Sequence, residues 1–403
     1  MPQAHNDAPL VIGLMSGTSA DGIDAALIRT TGEGRPQPIA YLETPHPAEI
    51  RDEILALQQS GPEEIERLGE MSRRLAERFA EAATALCRQA DVRIHDIALI
   101  GCHGQTIRHR PPHFSLQIGS AAIIAARTGV TTVSDFRTPD MALGGEGAPL
   151  APYYHQALFA DASDSACDVV VNLGGIANVT LLQKPPAPPI VAGDTGPANA
   201  LMDELSMRLS GGLECCDRDG QRAAAGAVDA EALAWLMAHP YLKRPLPKST
   251  GKEDFSPALL DRWLSAFPAM GGNDGVATLL AFTTQSIAEA ILQAANSTPE
   301  RIILCGGGAN NPALRRQIAA RLPSARILTS AELGVDHNAM EAEAFAWLAM
   351  RALRGLPTGD TAVTGAHGAA ILGSLSPGGN WRDALALAAR LNAASPAPTN
   401  QTV

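Results

Sequence analysis

Val11-Ile-Gly-Leu-Met-Ser-Gly-Thr-Ser-Ala-Asp-Gly-Ile-Asp-Ala-Ala-Leu-Ile28 is the stretch from which the fold is read. Val11 and Ile12 open an apolar run of strand formers. Ile23, Ala25 and Leu27 alternate with Asp24 and Ala26, the period of two expected of a strand. Between them, Ser16-Gly17-Thr18-Ser19-Ala20-Asp21-Gly22 carries no bulky side chain. Amides and hydroxyls of such a turn can converge on an anion, and glycine lets the backbone approach closely. Taken alone, the stretch is an ordinary β-hairpin.

Asp168 to Leu182 repeats the plan. The apolar strand Val169 to Leu173 meets Gly174-Gly175, and a second strand runs from Ile176 to Leu182. One such hairpin opens each half of the chain, which predicts a duplicated unit. Val191-Ala-Gly-Asp-Thr-Gly-Pro-Ala-Asn199 follows, and Arg301-Ile-Ile-Leu-Cys-Gly-Gly-Gly-Ala-Asn-Asn-Pro312 reads as a buried strand, a triple-glycine turn and a helix start. Four glycine turns at strand ends, spread over both halves, predict a nucleotide held between two lobes with amides on its phosphates.

The set resembles the superfamily of sugar kinases, heat-shock chaperone ATPases and actin. Within it, the chain is similar to the anhydro-N-acetylmuramic acid kinase family. The similarity is carried by Gly13 to Asp24, Cys102-His-Gly-Gln-Thr106, Val133-Ser-Asp-Phe-Arg137, Gly144-Gly-Glu-Gly-Ala-Pro-Leu150, Asn172-Leu-Gly-Gly-Ile-Ala-Asn178, Gly193-Asp-Thr-Gly-Pro-Ala-Asn199, Pro247-Lys-Ser-Thr-Gly251 and Cys305-Gly-Gly-Gly-Ala-Asn310. These motifs keep the family's order from near Leu10 to about Gly373. Ala20 stands where a larger apolar residue is expected and Glu146 where glutamine is usual. The resemblance implies an α/β, two-lobed actin-like (ribonuclease H-like) fold, each lobe a mixed sheet flanked by helices, with ATP in the cleft. It also implies a cytoplasmic bacterial homodimer. The implied reaction uses ATP and Mg²⁺ to open the anhydro ring of 1,6-anhydro-N-acetylmuramic acid with water and to phosphorylate O6, in recycling of cell-wall sugars. A plain hydroxyl kinase for another sugar, or an actin- or chaperone-like ATP-switched binding protein, are the alternatives.

Composition agrees with that class. A chain of 403 residues predicts two domains. The net charge of −11 argues against a general nucleic-acid binder and gives no pull toward anionic membranes. Apolar runs read as too short and interrupted to span a bilayer. Met1 to Pro9 lacks the apolar core of a signal peptide. Cysteines 87, 102, 167, 215, 216 and 305 form no CxxC, which predicts reduced thiols.

The expected lobes are residues 10–165 and 166–375, followed by a terminal helix and tail over 376–403. The first lobe reads as a hairpin, a strand near Ala40, helices over Pro47–Gln59 and Glu63–Ala90, a strand from Ile97 to Cys102, a helix over Ala121–Arg127 and a strand from Val130 to Val133. The second reads as helices over Pro197–Leu209, Asp229–Met237, Pro257–Phe267, Gly275–Ala295, Pro312–Arg321 and Asn338–Arg354. Pro185 to Pro189 reads as a solvent loop, and Ser395 onward as a small, polar, disordered tail.

Asp194, after the Val191 strand, is either a base near an acceptor oxygen or a cap of the next helix, and spacing alone does not separate these. The resemblance moves it to catalysis. Gly17, Thr18, Ser19, Ala20, Asp21, Gly22, Ile23 and Asp24 form the first phosphate loop, with Asp21 the preferred Mg²⁺ ligand; Asp24, inside the strand alternation, reads better as structural. Gly174 and Gly175 form the second phosphate turn. Gly306, Gly307 and Gly308 are placed beneath the adenosine or α-phosphate. His103, Gln105, Asp135, Asn178 and Asp194 are expected to face the sugar. Arg137 is read as helping to bind substrate or steer phosphate, against a surface ion pair. Glu341 is read as supporting the site, against a solvated helix face. His103, His109 and His113 lack the ligand spacing of a zinc site, and Arg108 and Arg110 with two prolines read as an exposed loop. Lys248 is read as contacting nucleotide or orienting a mobile loop, against a solvated loop lysine, which the sequence alone favours.

Overall fold

A computed structural model describes residues 8–160, 165–185, 187–250 and 254–394. Its strands are β1 (Leu10–Ser16), β2 (Gly22–Arg29), β3 (Gln37–Pro45), β4 (Ile97–Arg110), β5 (Phe114–Ile118), β6 (Thr132–Ser134), β7 (Cys167–Leu173), β8 (Ile176–Gln183), β9 (Ile190–Pro197), β10 (Arg301–Cys305), β11 (Arg326–Thr329) and β12 (Ser374–Ser376). Its helices are α1 (Ala48–Leu57), α2 (Glu64–Gln89), α3 (Ala121–Thr128), α4 (Thr138–Ala142), α5 (Ala151–Phe159), α6 (Ala200–Leu209), α7 (Gln221–Ala225), α8 (Ala230–Met237), α9 (Pro257–Ala266), α10 (Asn273–Ala294), α11 (Pro312–Arg321), α12 (Met340–Arg354), α13 (Thr361–Thr364) and α14 (Trp381–Ala394).

The chain divides into two compact units, one of residues 1–161 with 338–403, the other of 162–337. Each is a mixed sheet flanked by helices, and the two sheets share one topology. In the first, β3, β2 and β1 form an antiparallel meander, and β4 and then β6 continue it parallel to β1. In the second, β9, β8 and β7 form the meander, and β10 and then β11 continue it in parallel. The duplication read from the two hairpins is therefore a duplication of whole sheets. β5 and β12 are additions to the first, pairing antiparallel with β4 and β6.

Apolar alternation builds the meanders: Ile12, Leu14, Ile23, Ala25 and Leu27 lie in one core with Met71, Leu75 and Phe79 of α2. Val169, Val171, Leu173, Val179 and Leu181 lie in another with Leu280, Ile287 and Ile291 of α10. α10 corrects an expectation: over 22 residues, with a mean hydropathy of 1.4 in its most apolar window, it is long and apolar enough to cross a membrane. That window is 83% buried inside the protein, the position of a core helix.

Two boundaries differ from expectation. Residues 338–375, expected in the second lobe, belong to the first unit: α12 packs on β1 and β4, and β12 pairs with β6. The physical reason is a flat place in the sheet. A Cβ on Gly13 would fall on the Ala342 carbonyl, and one on Gly101 on the Phe345 carbonyl, so only glycine admits α12. α14, expected to stand apart, packs on α12 in the same unit. Asn380 Nδ2 donates to the Ile97 and Ala98 carbonyls, and its Oδ1 accepts from Thr131 N and Oγ1. Ser395 onward lies outside the described residues, as do Met1 to Asp7 and Pro186 of the 185–189 tract.

Candidate active site

In the first unit the turn between β1 and β2 carries Gly17, Thr18, Ser19, Ala20 and Asp21. Thr18, Ser19 and Asp21 are exposed. Ala20 N donates to the Gly17 carbonyl at 3.0 Å, closing the turn, and Ala20 takes a φ of +56° with its methyl in the core. Ala20 and Ile23 are both fully buried, so neither side chain faces a ligand. Asp21 is exposed and pairs with Arg51 Nε through Oδ1 at 3.2 Å. Asp24 accepts from Tyr41 Oη at 2.5 Å. Burial raises its pKa, the Tyr41 hydrogen bond draws it back, and Glu43 adds to the rise.

Strand ends place the next groups. β4 does not stop at Cys102 but runs on to Arg110, because β5 offers it an antiparallel partner. The expected exposed loop is thus a hairpin, and Arg108 pairs with Glu64 at 2.6 Å. His103 lies on this strand with its ring 4.5 Å from that of Phe345 on α12. Arg137, just before α4, donates from Nε to His103 Nε2 at 3.0 Å. His103 therefore carries its hydrogen on Nδ1, beside the Gly104 carbonyl at 3.1 Å. Burial, and then the guanidinium, push His103 down to about 3. Desolvation pushes Arg137 down to about 10, with Glu341 pulling it back. Arg137 is no surface ion pair.

Glu341 opens α12. Its surface is open to solvent, yet protein crowds it: desolvation raises its pKa first, Asp24 raises it further, and Arg137 lowers it. Asp24, Arg137 and Glu341 thus form one electrostatic group. Asp135 adopts a φ of +56°, and its Oδ1 accepts from Thr138 N at 3.3 Å. It lines a recess of about 310 Å³ with Ser72, His103, Ser115, Gln117 and Thr138. For Gln105, expected to face the sugar, the structure corrects the expectation. It is fully buried beneath the β1–β2 turn and cannot touch a ligand there.

In the second unit Asp194 lies within β9, not after it, and Pro197 ends that strand rather than starting a helix. α6 begins at Ala200 with Asn199 at its cap position, so Asp194 caps nothing. Its Oδ1 accepts from Asn178 Nδ2 at 2.9 Å; its Oδ2 accepts from Thr250 N at 2.9 Å and from Ser249 Oγ at 3.4 Å. Burial raises its pKa, and these hydrogen bonds, Asn178 foremost, hold the rise in check. A φ of +156° at Gly193, where a Cβ would meet the Lys248 carbonyl at 2.7 Å, lets the Lys248 segment cross at the bulge. Asp194 N donates to that carbonyl at 2.8 Å.

Lys248 is buried, not solvated. Its Nζ donates to the Leu242 carbonyl at 3.1 Å and stands 4.7 Å from the Tyr241 ring centroid. Tyr241 Oη in turn donates to the Asp194 carbonyl at 2.9 Å. Sequence reasoning missed Tyr241, Ser249 and Thr250 as supports of Asp194. The Pro247–Thr250 motif marked the place, but no periodicity tied it to β9.

The glycine turns of this unit converge. Ala198 N donates to the Gly175 carbonyl and Asn199 N to that of Gly174. A Cβ on Gly306 would lie 2.5 Å from Asn172 Oδ1, and one on Gly308 2.9 Å from Asn199 Oδ1. Gly174, Gly175, Gly306 and Gly308 thus belong to one glycine-lined place at the ends of β7 and β10, with Gly307 leading into α11.

A model of one protein family, anhydro-N-acetylmuramic acid kinase, matches residues 9–378. The chain belongs to the anhydro-N-acetylmuramic acid kinase family. A member of that family is an enzyme, a phosphotransferase. Solved structures similar to this kinase include the activator of 2-hydroxyisocaproyl-CoA dehydratase from Clostridium difficile with bound ADPNP (11% identity, 85% of this chain and 94% of that chain, TM-score 0.38). A ROK family glucokinase from Streptomyces griseus in complex with glucose and AMPPNP is another (16%, 85% and 99%, TM-score 0.37). The PilM–PilN type IV pilus biogenesis complex is a third (12%, 84% and 98%, TM-score 0.41). TM-scores of this size assign nothing to this kinase.

Proposed function

We propose that this family kinase consumes ATP to open 1,6-anhydro-N-acetylmuramic acid hydrolytically, releasing ADP and N-acetylmuramate 6-phosphate. Its place is then recycling of murein sugars and amino-sugar catabolism in a bacterial cytoplasm, as a homodimer. The geometry of Asp194 carries the reading. A carboxylate fixed at both oxygens, desolvated, with its pKa raised, is a stronger base than an ordinary aspartate and is held in one orientation. Asp194 takes a proton from water as the water oxygen bonds to C1. The C1–O6 bond breaks, and O6 bonds to the γ-phosphorus as ADP leaves. His103, Asp135, Arg137 and Asn178 bind or orient the sugar, with Glu341 and Arg137 setting the local charge.

The exposed Gly17–Asp21 turn takes the terminal phosphates. Gly174, Gly175 and Gly306–Gly308 take the rest of the nucleotide. Among the described residues no three His, Cys, Asp or Glu side chains gather as a metal site. Magnesium on a nucleotide needs only one or two carboxylates besides phosphate oxygens, and the exposed Asp21 fits that role. When bound, the ion would neutralise phosphate charge.

The test is a reaction with Mg-ATP and the anhydro sugar in ¹⁸O-labelled water, read by mass spectrometry, beside Asp194→Asn. Phosphorylated product labelled at C1, lost in the variant, supports the reading. Unlabelled product would overturn the hydrolytic step.

A further inference from the structure

Beneath the β1–β2 turn runs a chain of buried polar side chains that the phosphate-binding reading does not use. Ser16 is 1% exposed, His46 8% and Gln105 fully buried. Arg78 Nε donates to His46 Nδ1 at a long 3.4 Å, and Arg78 also anchors the Pro45 carbonyl at 2.9 Å. With a guanidinium at Nδ1, the imidazole carries its hydrogen on Nε2. Burial, and then Arg78, push His46 down to about 4, which keeps the ring neutral at physiological pH. His46 Nε2 then donates to Ser16 Oγ at 3.2 Å. The Ser16 hydroxyl has one hydrogen and two acceptors, Gln105 Oε1 at 2.6 Å and the Gly22 carbonyl at 2.7 Å. Gln105 Nε2 donates to the Gly17 carbonyl at 2.9 Å and to that of Thr106 at 3.2 Å.

The chain runs from Arg78 through His46 to Ser16, whose single hydrogen goes either to Gln105 or to the Gly22 carbonyl, and both branches end on the turn. The Gly17 carbonyl is held by Gln105 and the Asp21 carbonyl by His46 N at 2.9 Å, with the Ser16 hydroxyl shared between Gln105 and the Gly22 carbonyl. Both ends of the turn are thus fixed with their carbonyls turned inward. Among the described residues, the amides of Thr18 and Ser19 between them have no protein acceptor. A turn of small residues would otherwise sample many backbone states, and ordering it at binding would cost affinity.

We propose that Ser16, His46 and Gln105 are positioning residues that preset the Gly17–Asp21 turn for the terminal phosphates of the nucleotide. The proposal rests on the phosphate-binding reading of that turn. It reassigns Gln105 from sugar contact to support of the turn, turns the Ser16 hydroxyl inward as part of that support, and adds His46, which spacing did not single out.

The test is calorimetric titration of the whole protein with Mg-AMPPNP and, separately, with adenosine. His46→Ala, Gln105→Ala and Ser16→Ala are compared with His46→Gln, whose Nε2 takes the place of the imidazole donor. Loss of one directed bond is expected to weaken Mg-AMPPNP about tenfold. Adenosine affinity stays unchanged, and His46→Gln recovers most of the loss. Ser16→Ala removes a single oxygen and keeps the test readable if a larger excision does not fold. Unchanged Mg-AMPPNP affinity in all three alanine variants overturns the proposal. So does a parallel loss of adenosine affinity, or a His46→Gln variant as weak as His46→Ala. A wild-type protein that binds no Mg-AMPPNP overturns the phosphate-binding reading itself, and this proposal with it.

Discussion

Asp194 shows how a single carboxylate is tuned by opposing effects. Desolvation raises its pKa, and the Asn178 amide is the first of the groups that lower it. As the proposed base, Asp194 works deprotonated, so activity is expected to fall as pH drops through that pKa. Asn178→Ala removes the leading stabiliser of the anion and is expected to move the acid limb of kcat/KM to higher pH, read from a pH–rate profile; an unmoved limb would mean another group titrates there. Asp194→Asn is expected to lower kcat by about 10²- to 10⁴-fold, the usual range for a positioned base, with Mg-AMPPNP binding kept in a titration. The position of Asp194 was legible from the β9 run and its motif. The burial of Lys248 was not. A lysine between prolines and hydroxyls reads as solvated, and what buries it is the Tyr241 ring with two carbonyls. Gln105 was misread for a similar reason: strand alternation says which face a residue takes, not that a turn will fold over that face.

Among elements, the two meanders and the long helices α2 and α10 were legible, because each carries a clear period over many residues. β4 was not, past Cys102. Arg108 and Arg110 look like loop residues until β5 supplies hydrogen bonds and Glu64 a charge partner. The contact of α12 with β1 and β4 was also hidden, though Gly13 and Gly101 in strand interiors were its trace. Gly101→Ala is expected to cost about 3 kcal/mol, the upper range for overpacking against backbone, measured by urea unfolding. A second case is Gly306→Ala, where a φ of +78° and the Asn172 and Leu173 oxygens oppose a side chain. It is expected to cost about 1–3 kcal/mol and to weaken Mg-AMPPNP binding in a titration.

For the whole molecule, the sequence legibly contained two α/β halves but not where the chain crosses between them. Periodicity places α12 on a helix and says nothing about which sheet it covers. Since residues 162–337 form a contiguous unit with its own core, that segment expressed alone is expected to unfold in one cooperative transition, while 1–161 alone is not, by circular dichroism against urea. The first unit takes α12, β12 and α14 from the far end of the chain. On the ribosome this becomes a matter of time. At about 5–20 residues per second, the 176 residues from Ala162 to His337 take roughly ten to thirty-five seconds to make. Throughout that interval the β1–β4 face awaits its covering helix, so nascent chains stalled before Asn338 are expected to be cut by protease in their N-terminal segment and to recruit holding chaperones.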